Sequence, residues 1–377
     1  VSNWPGKFVI GLTGNIATGK SVVRRMLEHL GAYSIDADAL AHRAISKGAP
    51  GYQSVVDTFG RWIVEKDEEI DRAKLGDLVF NNPNALMQLE AIIHPLVGQA
   101  VDILIKRSSH PIIVIEAIKL LEGSLHEACD TIWVTDAPED VRIERLMRKR
   151  NLRRKEALQR IHAQNSQQDK NLAADVVIKN NGTYDDLWKQ VTTAWKQISP
   201  IGDTGPVMIK TAKTGEFAVQ RGRPRNSDVI ADLVTSLSQG RKNMTKDDVM
   251  EAFGENAYLL LQMNNQFVGL AAWQVENLVA RTTDLYISPE ILLEPALDTL
   301  VSELERASQD LQCEASLVFL PPELAVHEDI WKRLGYEKRT PDSLGIQAWQ
   351  DAASESQPEN TTLIFKQLRQ DRILRPI

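Results

Sequence analysis

One stretch near the start of the chain carries the clearest chemical potential: Gly14-Asn15-Ile16-Ala17-Thr18-Gly19-Lys20-Ser21. Its pattern, G-x-x-x-x-G-K-[ST], is that of a phosphate-binding loop, provided that a strand precedes it and a helix follows. Successive backbone N–H groups and a helix N-terminus present positive partial charge to a polyphosphate. Gly14 and Gly19 permit backbone conformations that a Cβ hinders. In such a loop Lys20 reaches the β- and γ-phosphates and the Ser21 hydroxyl is a ligand for Mg²⁺. Two further carboxylates, Asp36 and Asp38, follow a short apolar run, Ala32-Tyr33-Ser34-Ile35. Residues two apart on an extended chain face the same side, so both acids are candidates for work on a bound phosphate ester. Asp38 equally suits the N-cap of a helix beginning at Ala39, and the two roles are compatible. A basic cluster, Arg142, Arg145, Arg148, Lys149, Arg150, Arg153, Arg154 and Lys155, reads either as a solvated helix face or as a lid that neutralises phosphoryl charge.

The elements needed to position these groups are legible around them. Phe8-Val9-Ile10-Gly11-Leu12 reads as a buried strand, and Val22, Val23, Met26, Leu27 and Leu30 fall at helical spacing. Helical patterns follow over residues 52–59, 72–80 and 83–93. His94-Pro95 marks an interruption or restart, because proline disfavours helical geometry in the residue before it. Ile112-Ile113-Val114-Ile115-Glu116 is a continuous apolar run of the kind found in central parallel strands. Thr131–Thr135 and Asp175–Gly182 complete the strand set, and a helix from Tyr184 to Ile198 closes the pattern. Strands alternating with helices imply a three-layer α/β/α domain with a parallel sheet. Ligands in such sheets sit beyond the carboxyl ends of the strands, where both the loop and the Asp36/Asp38 pair fall.

Composition narrows the class. A chain of 377 residues with a net charge of −7 exceeds one typical domain, and that acidic balance speaks against non-specific nucleic-acid binding. The two cysteines, Cys129 and Cys313, form no disulfide framework and no zinc spacing, consistent with a cytoplasmic setting. No apolar run approaches the roughly 18 residues of a membrane helix, and the first residues show no signal-peptide pattern. No membrane partner is expected, and no internal repeat is visible.

Over residues 8–198 the motifs resemble the dephospho-coenzyme A kinase family. The resemblance rests on the phosphate loop, Asp36-Ala37-Asp38 with Ala41-His42, Phe59-Gly60, Asp71-Arg72, Leu89-Glu90 with His94-Pro95, Leu120-Leu121-Glu122, Arg145-Leu146-Met147, Arg160-Ile161 with Gln164, and Ala174-Asp175 with Asn180. It implies ATP-dependent phosphorylation of the ribose 3′-hydroxyl of dephospho-coenzyme A, with Mg²⁺. It also implies Asp38 as the base and Lys20 and Arg145 as the cations at the reacting phosphate. The loop residues Gly14 to Ser21 and Asn180 would bind nucleotide. Asp36, His94, Lys119, Glu122 and Lys149 would line the acceptor site. The sequence departs from the family at two places. Lys149 stands where a second lid arginine is usual, which keeps the charge and loses the bidentate fork. Ile118-Lys119 replaces the usual Pro-Leu.

Ser199-Pro200-Ile201-Gly202-Asp203-Thr204-Gly205-Pro206 reads as the start of a linker over 199–215. Residues 216–377 then show strands, a long helix over Ala296–Ala307 and a polar loop over Asp351–Asn360. That order, with Trp331, Leu334, Gly335 and Tyr336, resembles the GNAT acetyltransferase superfamily, an α+β fold with a mainly antiparallel sheet. At the place of that family's glycine-rich pyrophosphate turn stands Pro289-Glu290-Ile291-Leu292-Leu293-Glu294-Pro295. Donors are removed and negative charge is added, so no acetyltransferase activity is expected. Two other readings of the whole chain stand beside the kinase of dephospho-coenzyme A. One is another small-metabolite or nucleoside kinase. The other is a nucleotide-dependent regulator acting through the second domain.

Overall fold

The computed structural model describes residues 3–198, 215–371 and 373–374, without the side chains of Phe80 and Lys149. The linker expected over 199–215 therefore lies outside the described residues, save Gly215. The chain divides into two compact units. The first draws on 3–17 and 33–177 with a few residues at the chain's end, and the second on 18–32 and the described part of 178–370.

A five-stranded sheet is built from β1 (Phe8–Thr13), β2 (Tyr33–Asp36), β3 (Ile112–Glu116), β4 (Thr131–Asp136) and β5 (Val176–Lys179), in the order β2-β3-β1-β4-β5. β1 pairs in parallel with both β3 and β4, and β2 with β3. The central position of β1 and β3 explains their unbroken apolar runs, since both faces are covered. Val9, Ile10, Leu12 and Ile113 to Ile115 are wholly buried. The register sets Leu12 beside Glu116 and Asp36 beside Glu116. The carboxyl ends of β1, β2 and β3 therefore lie side by side.

The break expected at His94-Pro95 does not occur. One helix runs unbroken over Pro83–Arg107 with Pro95 inside it. Proline removes one rung of the ladder at Pro95, but His94 and Pro95 are exposed, so water can reach the carbonyl left without its donor. The helix is secured at both ends. Asn82 caps it by accepting from Asn84 N and Ala85 N at 3.0 and 3.2 Å, and Val97, Ala100, Val101, Leu104 and Ile105 are buried beyond the proline. By length and apolar content this helix could cross a membrane, a test that core helices of soluble proteins also pass.

In the second unit seven strands form a mainly antiparallel sheet: β6 (Phe217–Arg221), β7 (Ala257–Met263), β8 (Gln266–Glu276), β9 (Val279–Ile287), β10 (Ala315–Leu320), β11 (Glu337–Lys338) and β12 (Thr362–Gln367), in the order β11-β12-β10-β9-β8-β7-β6. Only β9 and β10 run parallel among the registered pairs. The Asn264-Asn265 hairpin turn has φ of 50° and 64°, the left-handed pair that matches strand twist. The helix Leu293–Asp310 buries Ala296, Leu297, Leu300, Val301 and Leu304 at helical spacing against Leu259, Leu261, Ala271 and Trp273. Its start has no side-chain cap, Pro295 lacks an N–H, and Glu294 pairs with Arg333 at 3.0 Å. The polar loop expected over Asp351–Asn360 is instead largely helix, Gln347–Ser356. Trp349, Ala352 and Ala353 supply a buried face at i, i+3 and i+4, a stripe that the surrounding polar residues obscure.

Candidate active site

The phosphate loop leaves β1 at Thr13 and is drawn taut by side chains from distant parts of the chain. Gly14 and Gly19 take φ of 146° and 97°, geometry that a glycine accepts without a Cβ clash, and Ala17 between them also takes a positive φ, 62°. Three successive loop carbonyls are tied back. Arg142 Nε donates to Ile16 O at 2.9 Å, an Arg145 guanidinium nitrogen donates to Ala17 O at 3.2 Å, and Asn180 Nδ2 donates to Thr18 O at 3.0 Å. In a trans peptide the N–H points opposite to the C=O. The N–H groups of Ala17, Thr18 and Gly19 are thereby turned away from these braces, in the succession that makes an anion nest.

Earlier in the loop the donors are already used. Gln167 Oε1 accepts from Asn15 N at 3.0 Å, and Gln164 Oε1 accepts from Ile16 N at 2.7 Å. Asn15 Nδ2 donates to Asn165 O at 2.7 Å. Asn15 and Ile16 are thus loop-shaping residues. Lys20 is buried and Ser21 is exposed, both in the first turn of the helix Lys20–His29. Burial pulls the Arg142 guanidinium below its ordinary pKa, with Glu139 and Asp136 opposing. Burial does the same for Arg145, reinforced by Arg148 and opposed by Glu144.

The two aspartates divide their work differently from the sequence expectation. The helix begins at Ala37, not Ala39, and Asp36 is its N-cap, accepting from Ala39 N at 2.9 Å. Asp38 is therefore not the cap. It stands in the first turn, and its Oδ2 accepts from Ile118 N at 2.9 Å. Just after Asp38, burial pulls the His42 imidazole below its ordinary pKa. Arg72 acts in the same direction, while Asp38 and Asp36 oppose it.

Ile118 is the hub of this end of the sheet. Its carbonyl accepts from Thr13 Oγ1 at 3.1 Å and from the buried Lys170 Nζ. Lys170 Nζ also lies 3.3 Å from Glu122 Oε1, which accepts from Asn165 Nδ2 at 2.9 Å. Asp38, Ile118, Lys170 and Glu122 form one chain of contacts. The remaining expected residues are more peripheral. Lys119 pairs with Glu90 at 3.2 Å near the surface, and His94 is exposed on its helix. Lys149 lies on the helix Glu139–Arg150 with its side chain outside the described set.

Sequence reasoning did not single out Gln167 or Lys170, and it noted Gln164 and Arg142 without their bracing role. Their signal is weak, because each acts through contacts with residues more than a hundred positions away or with backbone atoms. Among the described residues no three His, Cys, Asp or Glu side chains cluster as a metal site.

Known proteins are similar to parts of this chain. The sequence pattern of the dephospho-CoA kinase family matches residues 8–186. The chain is 43% identical over 194 residues to a dephospho-CoA kinase of Carboxydothermus hydrogenoformans, covering 50% of this chain and 94% of that protein. A solved dephospho-CoA kinase from Campylobacter jejuni is 28% identical, covers 51% of this chain and 97% of its own, and superposes with a TM-score of 0.38. A solved N-acetyltransferase from Thermoplasma acidophilum, in complex with coenzyme A, is 9% identical and covers 40% of this chain and 99% of its own, with a TM-score of 0.31. With a phosphate loop, an aspartate at the adjoining strand end and relatives matched over nearly their whole length, the chain belongs to the dephospho-CoA kinase family, the transferases that phosphorylate dephospho-CoA in coenzyme A biosynthesis.

Proposed function

We propose that residues 8–198 carry out the transfer from ATP to the ribose 3′-hydroxyl of dephospho-coenzyme A, with Asp38 as the base. The observation that supports it most is the division of labour between the two aspartates. Asp36 holds the helix start, so Asp38 is not needed there, and its carboxylate is fixed at the strand ends by a backbone donor.

In this reading Asp38 orients the 3′-hydroxyl and accepts its proton as the oxygen attacks the γ-phosphorus, and the bond to the β,γ-bridging oxygen breaks. The nest at Ala17 to Gly19, with Lys20, holds the phosphates in line. Arg145 braces the loop and offers charge to the transferring group. Most of the catalysis is positioning and electrostatics, because the transition state is loose. Mg²⁺ would supply charge neutralisation across the phosphates, with the Ser21 hydroxyl as its protein ligand. Asp36, Glu122, Lys119, Lys149 and His94 shape the acceptor side, Glu122 through its contacts with Lys170 and Asn165. The enzyme is cytoplasmic in this reading, and residues 216–377 form an acetyltransferase-like domain without that activity, joined by 199–215. Pro295, which lacks an N–H, and the carboxylate of Glu294 in the first turn of the helix Leu293–Asp310 support the last point.

The test is ADP release by the full chain with Mg-ATP, with and without dephospho-coenzyme A, in the native protein and in Asp38→Asn. Acceptor-dependent turnover that falls about 10²- to 10⁴-fold in Asp38→Asn is the expected result. Undiminished kcat in that variant rules the base assignment out.

A further inference from the structure

The Ile118 amide has a second consequence, which rests on the reading of Asp38 as the base. We propose that the backbone N–H of Ile118 is the positioning donor for that base. It donates to Asp38 Oδ2 at 2.9 Å, and the residue that carries it is held on both sides: Ala117 N before it donates to Leu12 O at 3.1 Å, and its own carbonyl begins the next peptide. The carbonyl of the same residue accepts from Thr13 Oγ1 at 3.1 Å and from buried Lys170. A donor anchored on its own residue's far side cannot follow a wandering carboxylate. It holds Asp38 Oδ2 in place relative to β3, which ends two residues earlier. Hydrogen bonds to ionised acceptors are also the stronger kind. The role belongs to the main chain, so any residue except proline can fill it, and proline cannot because it has no N–H. Position 118 is where the family resemblance leads one to expect proline. The replacement therefore adds an orienting contact instead of merely exchanging side chains.

The arrangement separates side chain from main chain in a way that can be measured on the full-length protein. Ile118→Ala keeps the donor while shortening the side chain, and serves as the reference for the main-chain change. Ile118→Pro removes it, and kcat is expected to fall about tenfold, the scale of a small misplacement of a reacting group, with the KM for ATP unchanged. Equal kcat in the two variants overturns the inference. A second readout needs no folding of the proline variant. In protein carrying ¹⁵N-isoleucine, the Ile118 amide proton, identified by its disappearance in Ile118→Ala, should resonate downfield. It should move upfield in Asp38→Asn and stay in place in Asp36→Asn. An amide unmoved by Asp38→Asn while that variant loses turnover sinks the positioning role alone, whereas full turnover in Asp38→Asn sinks the base assignment itself.

Discussion

The side-chain amide of Asn180 occupies the space that a Cβ on Gly19 would need. An ideal Cβ there would lie 2.0 Å from Asn180 Nδ2, the same nitrogen that donates to Thr18 O. The glycine and the asparagine are a matched pair: one leaves room, and the other fills it with a brace. Gly19→Ala strains a φ of 97° and expels that brace together. We predict a loss of at least about 10²-fold in kcat/KM for ATP and a stability cost of about 1–3 kcal/mol. Titration of Mg-ATP against the variant, with a thermal melt beside it, checks both. Wild-type ATP affinity would contradict the pairing.

The assignment of the helix cap to Asp36 predicts a specific asymmetry. Asparagine caps a helix nearly as well as aspartate, so Asp36→Asn should leave the melting temperature close to native. Asp36→Ala should cost about 1 kcal/mol. Both should retain far more turnover than Asp38→Asn. The melting curves and kcat of the three variants decide it. An Asp36→Ala protein as stable as the native one would show that the cap lies elsewhere.

Arg142 has no direct role in the proposed chemistry, yet its Nε holds the first of the three braced carbonyls. Arg142→Ala should therefore raise the KM for ATP, by about tenfold, more than it lowers kcat, because it disorganises the nest without touching the base. Leaving buried partners unpaired should also cost about 1–3 kcal/mol of stability. Steady-state kinetics in ATP and in dephospho-coenzyme A separate the two effects. A pure kcat loss would assign Arg142 to the transition state instead.

At the far end of the loop's helix, His29 is packed edge-on against Phe253 at 5.4 Å between ring centroids. Burial, with the nearby Arg25 guanidinium, lowers its pKa from 6.5 to about 4, against the opposing pull of Glu28. Arg221 also opposes a charged ring, and the Phe253 carbonyl favours one. The folded state thus prefers the neutral ring. Its contribution to stability is complete above pH 6.5, falls as the pH drops toward 4 and is constant below that. For a half-buried ring the loss is about 1–3 kcal/mol. The melting temperature of native protein minus that of His29→Phe, followed from pH 7.5 to 4.5, should decline through this window. A difference independent of pH would mean that the ring titrates normally.

The parts of this site that were legible in the sequence are those whose signal is local. The phosphate loop is a contiguous pattern between a strand and a helix, and β3 is a continuous apolar run that the structure returns with the same bounds, Ile112–Glu116. The aspartates were located, but the helix cap that Asp38 equally suited falls to Asp36. A cap differs from its neighbour two residues on only by where the helix begins, and a shift of two residues in that start is within what a polar-apolar pattern tolerates. Pro95 was read as a break because propensity is a local quantity, while the burial of Val97 to Ile105 that carries the helix past it is tertiary. Gln167 and Lys170 were invisible for a plainer reason. Each is an ordinary polar residue on a short helix, Gln167–Leu172, and acquires meaning only through partners near residues 15 and 118.

Those long reaches also order events in time. The loop that begins at Gly14 is shaped by Arg142, Arg145, Gln164, Gln167 and Asn180, and it has none of these braces when it first leaves the ribosome. A nascent chain released or stalled before Asn180 has emerged has the binding motif but not the binding site. Competence for nucleotide should therefore arrive late and abruptly during synthesis, after β5 is in place, and ATP should protect from protease only those stalled chains that expose residue 180.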